Sequence, residues 1–359
     1  MEASRATPTP TATLRFTLLR HGQSTWNAQG RLQGSTDAAC LTPKGVEQAK
    51  DAAARLRDTH FHAMVHSPLR RAADTAAIVW GERAGPKHAL HDLRELDLHS
   101  WEGALKTEAA ARDPGAYAAW KDRPAAFQLD GRRPVCDLWR RARSVWRALL
   151  DPGGALRGSL GPAQGAPSVL LVAHQGMNKA LISTALGLEE DAFRSLPQAN
   201  SAYTCLDIGL GQQPGIHSVT VVCLNQGPIH NILAGISTTT SGLLVLLARA
   251  ADADEQERTA AAVAQALGLE GPSWQTPQAS EDAADLPGSI LSLAATDDGP
   301  TLVCLDAGGV EALLHACLGT RPEAVRWARQ PGTLTVLQFE AKGDAMRPVV
   351  HCANCVLQG

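Results

Sequence analysis

The sequence LLRHGQSTWN, Leu18–Asn27, joins the end of an apolar run to a cluster of polar side chains. The run itself, Leu14–Leu19, has the length of a buried β-strand, and His21 follows shortly after its end. A second run of the same kind, Ser168–Ala173, is followed directly by His174. Ligands of open α/β sheets bind outside the carboxyl ends of the strands. If the two strands are neighbours, both imidazoles therefore face a single site.

The segments between these two runs alternate between strand and helix patterns. Thr42 and Pro43 are typical of a helix start, and Phe61–His66 is typical of a short strand. Pro68 is predicted to begin another helix, and Asp137–Leu150 is predicted to form a third. Such alternation predicts an α/β fold, here a three-layer α/β/α sandwich built on a mostly parallel sheet.

Length and composition bound the class of protein. The chain has 359 residues, of which 44 % are hydrophobic and 19 % charged, as in ordinary globular proteins of about two domains. The net charge of −3 gives no basic field for nucleic acid, and no apolar run approaches the length of a membrane span. Residues 1–13 are rich in Ala, Thr and Pro and are predicted to be disordered. Without a clear targeting segment, the cytoplasm is the expected compartment.

The chain repeats part of itself after residue 230. The segment Thr301–Gly319 resembles Leu170–Gly187, and Arg347–Asn354 resembles Val219–Asn225. We interpret the chain as a tandem duplication with a shortened second copy. The predicted domains are a disordered segment at 1–13, a catalytic domain at 14–230, a linker at 231–242 and a degenerate copy at 243–359.

The second copy has lost the residues that could bind an anion. Ala248 and Arg249 stand where the first copy has Arg20 and His21, and Asp306 stands in place of His174. Residues 1–242 carry 26 Lys and Arg against 21 Asp and Glu, whereas residues 243–359 carry 7 against 15. An acidic half repels a phosphate, so we predict a catalytically inactive, structural half. Nothing in the sequence indicates a protein partner for it.

The side chains of the first copy match the needs of phosphoryl transfer without a metal or cofactor. Arg20 and Arg70 can neutralise the non-bridging oxygens of a phosphate. A neutral imidazole at His21 can attack phosphorus, and His174 can brace the oxygens. Glu95, in DLRELDLHSWEG, can protonate the leaving group and later deprotonate water.

This constellation resembles the histidine phosphatase superfamily, the phosphoglycerate-mutase-like proteins. The resemblance rests on Arg20-His21-Gly22, on an SPLxRAxxTA-like stretch at Ser67–Ala76, on Glu95 and on His174. It implies a phosphoglycerate-mutase-like sheet, phosphorylation of His21 during turnover and proton donation by Glu95. It also implies a phosphate pocket formed by Arg20, Arg70 and His174.

Short polar side chains near the two histidines are the candidates for contacts to the substrate. They are Ser24, Asn27, Gln33, Gly34 and Gln175. Gln175 stands where a glycine is common in the superfamily, and this larger side chain is expected to alter the choice of substrate.

Longer stretches, including LRELDLHSWEG and VAHQGMNKALISTALGL, resemble a plant chloroplast subgroup of the superfamily. That resemblance implies a carboxylated sugar phosphate as substrate, such as 2-carboxy-D-arabinitol 1-phosphate, and the chloroplast stroma as a possible compartment. Two alternatives stay open. A phosphoglycerate mutase also passes through phosphohistidine, and a regulatory protein could keep the pocket without turnover.

Two further patterns offer rival sites. In a strand, His60, His62 and His66 would share one face and could bind zinc. Cys352 and Cys355 form a CxxC pair. No Cys stands near the histidines, and the CxxC pair has no second pair. We therefore predict exposed strand histidines and no metal site.

Overall fold

The computed structural model describes most of the first half of the chain and parts of the second. The described residues are 12–160, 165–211, 215–228, 307–328, 333–342 and 345–355, together with strands at 243–248, 274–275 and 301–305.

Six strands of the first half form a mixed sheet in the order β3-β2-β4-β1-β5-β6. The strands are β1 (Ala12–Arg20), β2 (Ala63–His66), β3 (Lys87–Ala89), β4 (Ser168–Ala173), β5 (Tyr203–Leu210) and β6 (Ile216–Gln226). The first four strands in this order pair in parallel, and β5 runs antiparallel to both of its neighbours. The sheet is therefore mostly parallel, as the alternating pattern predicts.

The helices of this half cover both faces of the sheet. They are α1 (Thr25–Ala28), α2 (Pro43–Arg55), α3 (Arg70–Trp80), α4 (Lys106–Arg112), α5 (Pro114–Asp122), α6 (Pro134–Leu150), α7 (Ala155–Ser159) and α8 (Gln175–Ala185). Alternating side chains of β1 enter two separate cores, because successive residues of a strand point to opposite faces. Phe16 and Leu18 pack with α6 and α8, whereas Leu19 packs with α2 and α3. This arrangement confirms the three-layer α/β/α sandwich.

The helix starts differ in detail from the predicted ones. Thr42 caps α2 and accepts a hydrogen bond from the backbone N–H of Gly45, as predicted. Pro68 does not begin a helix, because Leu69 keeps an extended backbone and α3 starts at Arg70. The third helix starts at Pro134, one turn before Asp137, because proline fits the first helical position without losing a hydrogen bond.

The described part of the second half continues the same sheet. Its elements are β7 (Leu243–Ala248), β8 (Trp274–Gln275), β9 (Thr301–Leu305), α9 (Ala307–Leu318), β10 (Val325–Trp327), β11 (Leu334–Lys342) and β12 (Ala345–Cys355). The strand order after β6 is β12-β11-β7-β9-β8. Strands β6 and β12 pair antiparallel, with Leu224 opposite Ala353.

The register of the second half follows that of the first. Thr335 lies opposite Leu246, as Thr204 lies opposite Leu18 in the first half. Ala248 lies opposite Leu305, just as Arg20 lies opposite Ala173. This register supports the predicted correspondence of Arg20 with Ala248. Tandem duplication and the domain boundaries stay predictions, and Arg249, Asp306 and the linker at 231–242 lie outside the described residues.

The first strand begins earlier than predicted. Ala12 and Thr13 pair with β5, so they do not belong to a disordered segment, and residues 1–11 lie outside the described part of the chain. None of the helices in the described ranges has the length and apolar character needed to cross a bilayer.

Helix α2 lies directly against the loop that follows β1. A side chain on Gly45 would overlap the backbone carbonyl of Gln23, and one on Gly22 would overlap the carbonyl of Gly45. The backbone N–H of Thr42 donates to the same Gln23 oxygen at 3.0 Å. This close contact holds the loop beyond His21 against the helix.

Alanine at Gly45 is therefore expected to destabilise the fold. Overpacking against backbone costs about 1–3 kcal/mol, so urea unfolding of Gly45→Ala should give a lower free energy of unfolding by that amount. Gly158 in α7 has no neighbour within 4 Å of an added Cβ. Gly158→Ala, the matched control, should be neutral or stabilising by about 0.5–1 kcal/mol. Equal effects of the two substitutions would contradict this interpretation.

Candidate active site

The ends of β1 and β4 bring the two strand-end histidines together. Arg20 lies opposite Ala173 in the parallel register, so the next residues, His21 and His174, leave the sheet side by side. Their ring centroids are 5.2 Å apart. The sequence predicts this juxtaposition correctly.

The His21 ring is oriented by its own backbone neighbour. Its Nδ1 lies 2.7 Å from the carbonyl oxygen of Gly22. Because a carbonyl only accepts, Nδ1 carries the proton, and the neutral ring keeps a lone pair on Nε2. Burial, followed by the charges of Arg71 and Arg20, holds the pKa of His21 well below its usual range. The ring is therefore neutral at pH 7.

The two ring nitrogens of His174 differ in their partners. Its Nε2 lies 2.8 Å from the hydroxyl oxygen of Ser67. Its Nδ1 is buried and has no hydrogen-bond partner among the described residues. Burial, then Arg71 and the neighbouring His21, keep the pKa of His174 far below its ordinary value.

Two buried arginines flank the histidines. Arg20 donates from Nη1 to the backbone oxygen of Gln198 at 2.6 Å. Arg71 donates to the backbone oxygens of Gly34 and Thr36, both at 2.9 Å. The Nε atom of each guanidinium is buried without a partner in the described part of the chain. Burial lowers the pKa of Arg20 to about 10, against an opposing effect of Glu95, so the guanidinium is still charged at neutral pH.

Glu95 lies on the same pocket and is held by backbone N–H groups. Its carboxylate accepts from Leu96 at 2.8 Å, from Gly176 at 2.9 Å and from Met177 at 3.2 Å. The last two donors are in the first turn of α8, which His174 caps. A side chain on Gly176 would overlap the carboxylate, so a larger residue at this position would displace Glu95.

A cavity of about 320 Å³ opens over Arg20, His21, Arg71 and Glu95, whereas His174 is not among its described lining residues. Six basic side chains line it, against the one carboxylate, Glu95, among its described lining residues. The basic ones are Arg20, Arg31, Arg71, Lys106, Lys179 and Arg194. Trp120 and Phe193 form part of its wall, and the Arg194 guanidinium lies 4.6 Å from the centroid of the Trp120 ring. The cavity can therefore hold a ligand with more than one negative charge.

Comparison with known proteins agrees with this geometry. A family model for the histidine phosphatase superfamily (branch 1) matches residues 16–219. The chain belongs to this superfamily.

Relatives of the histidine phosphatase include two plant proteins. One of Arabidopsis thaliana, named "Probable 2-carboxy-D-arabinitol-1-phosphatase", is 42 % identical over 225 residues, 63 % of this chain and 44 % of its own length. One of Triticum aestivum, named 2-carboxy-D-arabinitol-1-phosphatase, is 39 % identical over 247 residues, 68 % of this chain and 47 % of its own length. The chain thus spans under half the length of either relative.

A solved structure supports the fold alone. The crystal structure of the alpha-ribazole phosphatase from Shigella flexneri is 24 % identical, with a TM-score of 0.50. The likeness covers 59 % of this chain and 96 % of the Shigella chain.

The structure corrects one arginine of the predicted histidine phosphatase site. Arg70 does not line the cavity; its side chain is 67 % exposed and lies 3.6 Å from Asp74. Neighbouring residues of a helix point about 100° apart, and here Arg71 is the one that points inward. The SPLxRAxxTA pattern already places its arginine at 71 when counted from Ser67.

The predicted polar contacts divide into two groups. Asn27, Gln33, Gly34 and Gln175 line the cavity together with Arg20, His21 and Glu95. Ser24 does not line it, because it is fully buried as the cap of α1. Its hydroxyl lies 2.8 Å from Gln33 Oε1 and 3.1 Å from the backbone nitrogen of Asn27. Ser24 therefore holds two lining residues in place. The roles of all these side chains toward a ligand stay predictions.

Several residues of the site are not predicted from the sequence. They are Arg31, Ser67, Arg71, Lys106, Trp120, Lys179, Phe193, Arg194 and Asn200. Only two of these residues could have been predicted from a sequence pattern. Arg71 and Ser67 belong to the quoted pattern, whereas the others come from separate elements that meet only in the folded chain.

The rival patterns lie away from this cavity. His60 and His62 contact each other, with ring centroids 4.6 Å apart, and His62 Nδ1 accepts from the backbone of Ser168. Within the described ranges, no three His, Cys, Asp or Glu side chains are grouped as a metal site. Cys352 and Cys355 are buried, and burial together with the Cys352 thiol raises the pKa of Cys355.

The two buried neutral histidines should make stability fall in mild acid. The unfolded chain protonates histidine below about pH 6.5, but the folded chain does so only at lower pH. The unfolded state then binds more protons, so the free energy of unfolding should drop by up to about 1.4 kcal/mol per pH unit for each group. Urea titrations from pH 7 to 5 should show a smaller drop for His174→Gln. The His60→Gln variant, which changes an exposed histidine, should match wild type. An equal change of the unfolding free energy with pH in all three proteins would contradict this interpretation.

Proposed function

We propose that this histidine phosphatase hydrolyses a small phosphate monoester through a phosphohistidine at His21. One observation carries the proposal. Beside His21 lie three buried nitrogen atoms without a partner among the described residues: Arg20 Nε, Arg71 Nε and His174 Nδ1. Buried polar atoms are nearly always paired, so an unpaired set indicates a ligand that completes it. The oxygens of a phosphoryl group fit two guanidiniums and an imidazole.

The first step transfers the phosphoryl group to the enzyme. The lone pair of His21 Nε2 attacks phosphorus, and a P–N bond forms as the bond to the ester oxygen breaks. Arg20 and Arg71 balance the charge on the non-bridging oxygens. Glu95, in its acid form, gives its proton to the departing alkoxide, so that an alcohol leaves.

The second step returns the enzyme to its starting state. The Glu95 carboxylate takes a proton from water as the water oxygen attacks phosphorus and the P–N bond breaks. Inorganic phosphate is released, and Glu95 is again in its acid form. In this scheme the positive charge that balances the phosphoryl oxygens comes from Arg20 and Arg71 and not from a metal ion.

The substrate we propose is a carboxylated sugar phosphate such as 2-carboxy-D-arabinitol 1-phosphate. Lys106, Lys179 and Arg194 line the cavity in addition to the arginines assigned to the phosphoryl group. A second anionic group on the substrate, such as a carboxylate, would pair with these cations. The printed names of the two plant relatives support the same substrate, and a chloroplast location is proposed on that similarity alone.

Loss of His21 should abolish turnover. Phosphate release from a panel of monoesters, measured with EDTA present, should be readily detected for wild type and fall by a factor of about 10³ or more for His21→Ala. The panel includes 2-carboxy-D-arabinitol 1-phosphate, sugar phosphates without a carboxylate, and 3-phosphoglycerate. His60→Ala, which removes an exposed histidine, should keep full activity.

The same experiment separates the competing functions. Conversion of 3-phosphoglycerate to 2-phosphoglycerate without phosphate release would replace the phosphatase by a mutase. Binding of inorganic phosphate without turnover of any ester would replace it by a phosphate-binding protein.

Lys106 provides a test of the second anionic group. Its side chain lines the cavity but is exposed, so Lys106→Met should leave the fold intact. Loss of a charge-assisted contact should raise KM for 2-carboxy-D-arabinitol 1-phosphate about tenfold. KM for a sugar phosphate without a carboxylate should change less than twofold. Lys44→Met on the exposed face of α2 is the matched control. An equal rise in KM for both substrates would refute the assignment.

A further inference from the structure

A single peptide unit outside the cavity holds the Arg20 guanidinium. Arg20 Nη1 donates to the carbonyl oxygen of Gln198 at 2.6 Å, and the Gln175 amide donates to the same oxygen at 3.3 Å. The N–H on the other side of that peptide belongs to Ala199. Because a peptide unit is planar, whatever fixes the Ala199 N–H also fixes the direction of the Gln198 carbonyl.

Asn225 fixes that N–H and links it to the second half of the chain. The Asn225 side-chain oxygen accepts from Ala199 N at 2.9 Å. Its amide nitrogen donates to the backbone oxygen of His351, in β12, at 2.7 Å. The Asn225 side chain is buried, with 2 % exposure, while its partners Ala199 and His351 are half-buried.

The backbone of Asn225 is itself held in an unusual conformation. Its φ of 57° lies in the left-handed region, which asparagine tolerates better than most residues. Its N–H donates to the Thr204 hydroxyl at 3.0 Å. Nearby, Val350 in β12 donates to the backbone oxygen of Ser195 at 2.8 Å, a second tie between the halves. The position of the amide is therefore fixed from several sides.

We infer that Asn225 is a positioning residue that couples the second half of the chain to the phosphate-binding Arg20. The connection runs from the His351 carbonyl through the Asn225 amide and the Gln198–Ala199 peptide to the guanidinium. Each bond in such a buried series polarises the next, which strengthens the whole series. The second half thus supports the reaction without contributing a described side chain to the cavity. The inference rests on the proposed function, since Arg20 is assigned there to the phosphoryl group.

The second half contains a natural comparison for Asn225. Asn354 occupies the corresponding place in β12, next to Ala353, which pairs with Leu224. It has a φ of 52° and donates from its backbone to the Thr335 hydroxyl at 3.3 Å. Its side-chain nitrogen is buried with no hydrogen-bond partner in the described residues. Asn354 thus shares the backbone setting of Asn225 but makes no bond from its side-chain nitrogen.

Glycine substitutions at the two asparagines test the coupling in the full chain. Glycine accepts a positive φ, so each variant loses its side chain and keeps its backbone. Calorimetric titration with inorganic phosphate should give a Kd about tenfold higher for Asn225→Gly than for wild type. KM for the best ester should rise in parallel. The Kd of Asn354→Gly should stay within about twofold of wild type. A Kd for Asn225→Gly no higher than that of Asn354→Gly would overturn the inference.

A double variant shows whether Asn225 acts through Arg20. If it does, Asn225→Gly should add less than about twofold to the phosphate Kd of Arg20→Ala. A full, multiplicative tenfold effect in the Arg20→Ala background would reject the coupling. Thermal unfolding of all variants should be measured alongside the Kd values. A general loss of stability would lower the unfolding temperature of Asn225→Gly without making its effect on Kd depend on Arg20.

Failure of the coupling can be distinguished from failure of the proposed function. If wild type bound no phosphate, the function itself would fail. If wild type bound phosphate and Asn225→Gly bound it equally well, only the coupling would fail. Should Asn225→Gly not fold, Asn225→Ser and Asn354→Ser give the same comparison, because a serine side chain is too short to reach both partners of Asn225.

Discussion

Parallel pairing of β1 with β4 sets Arg20 opposite Ala173, and the chemistry of the site depends on that register. One residue further along, His21 and His174 must emerge together at the edge of the sheet. A shift by one residue would send each side chain to the opposite face. Burial and two neighbouring guanidiniums then keep both imidazoles neutral. The result is a pair of neutral rings whose nearest positive charges are those of Arg20 and Arg71.

Around these side chains lies a shell of hydrogen bonds that removes their freedom. The Gly22 carbonyl orients the His21 ring, the Ser67 hydroxyl holds the His174 ring, and the Gln198 carbonyl holds Arg20. Groups fixed before the ligand arrives need no reorganisation during the reaction, which is where much of the catalytic effect of such sites originates. Orientation is therefore provided by two backbone carbonyls and one hydroxyl, while the arginines supply the charge.

The extent to which the sequence predicts this site follows from how local each signal is. The strand-end histidines are predictable, because an apolar run followed by a polar residue marks the carboxyl end of a strand. Which of Arg70 and Arg71 faces the cavity depends on their positions around the helix. The spacing of the motif from Ser67 selects Arg71, whereas the presence of two adjacent arginines does not. Lys179 and Arg194 meet at one cavity through folding alone. The contact between Asn225 and a backbone carbonyl 126 residues away leaves no trace in local sequence.

The pairing of β6 with β10 and β12 gives the first half of the sheet neighbours where it would otherwise end in unpaired N–H and C=O groups. In a protein made of separate subunits, such a seam would come apart on dilution, and any site that relied on it would weaken with protein concentration. Here the two sides belong to one chain, so their association does not depend on the concentration of the protein. The seam is consequently independent of expression level, and the second half stays with the first on dilution.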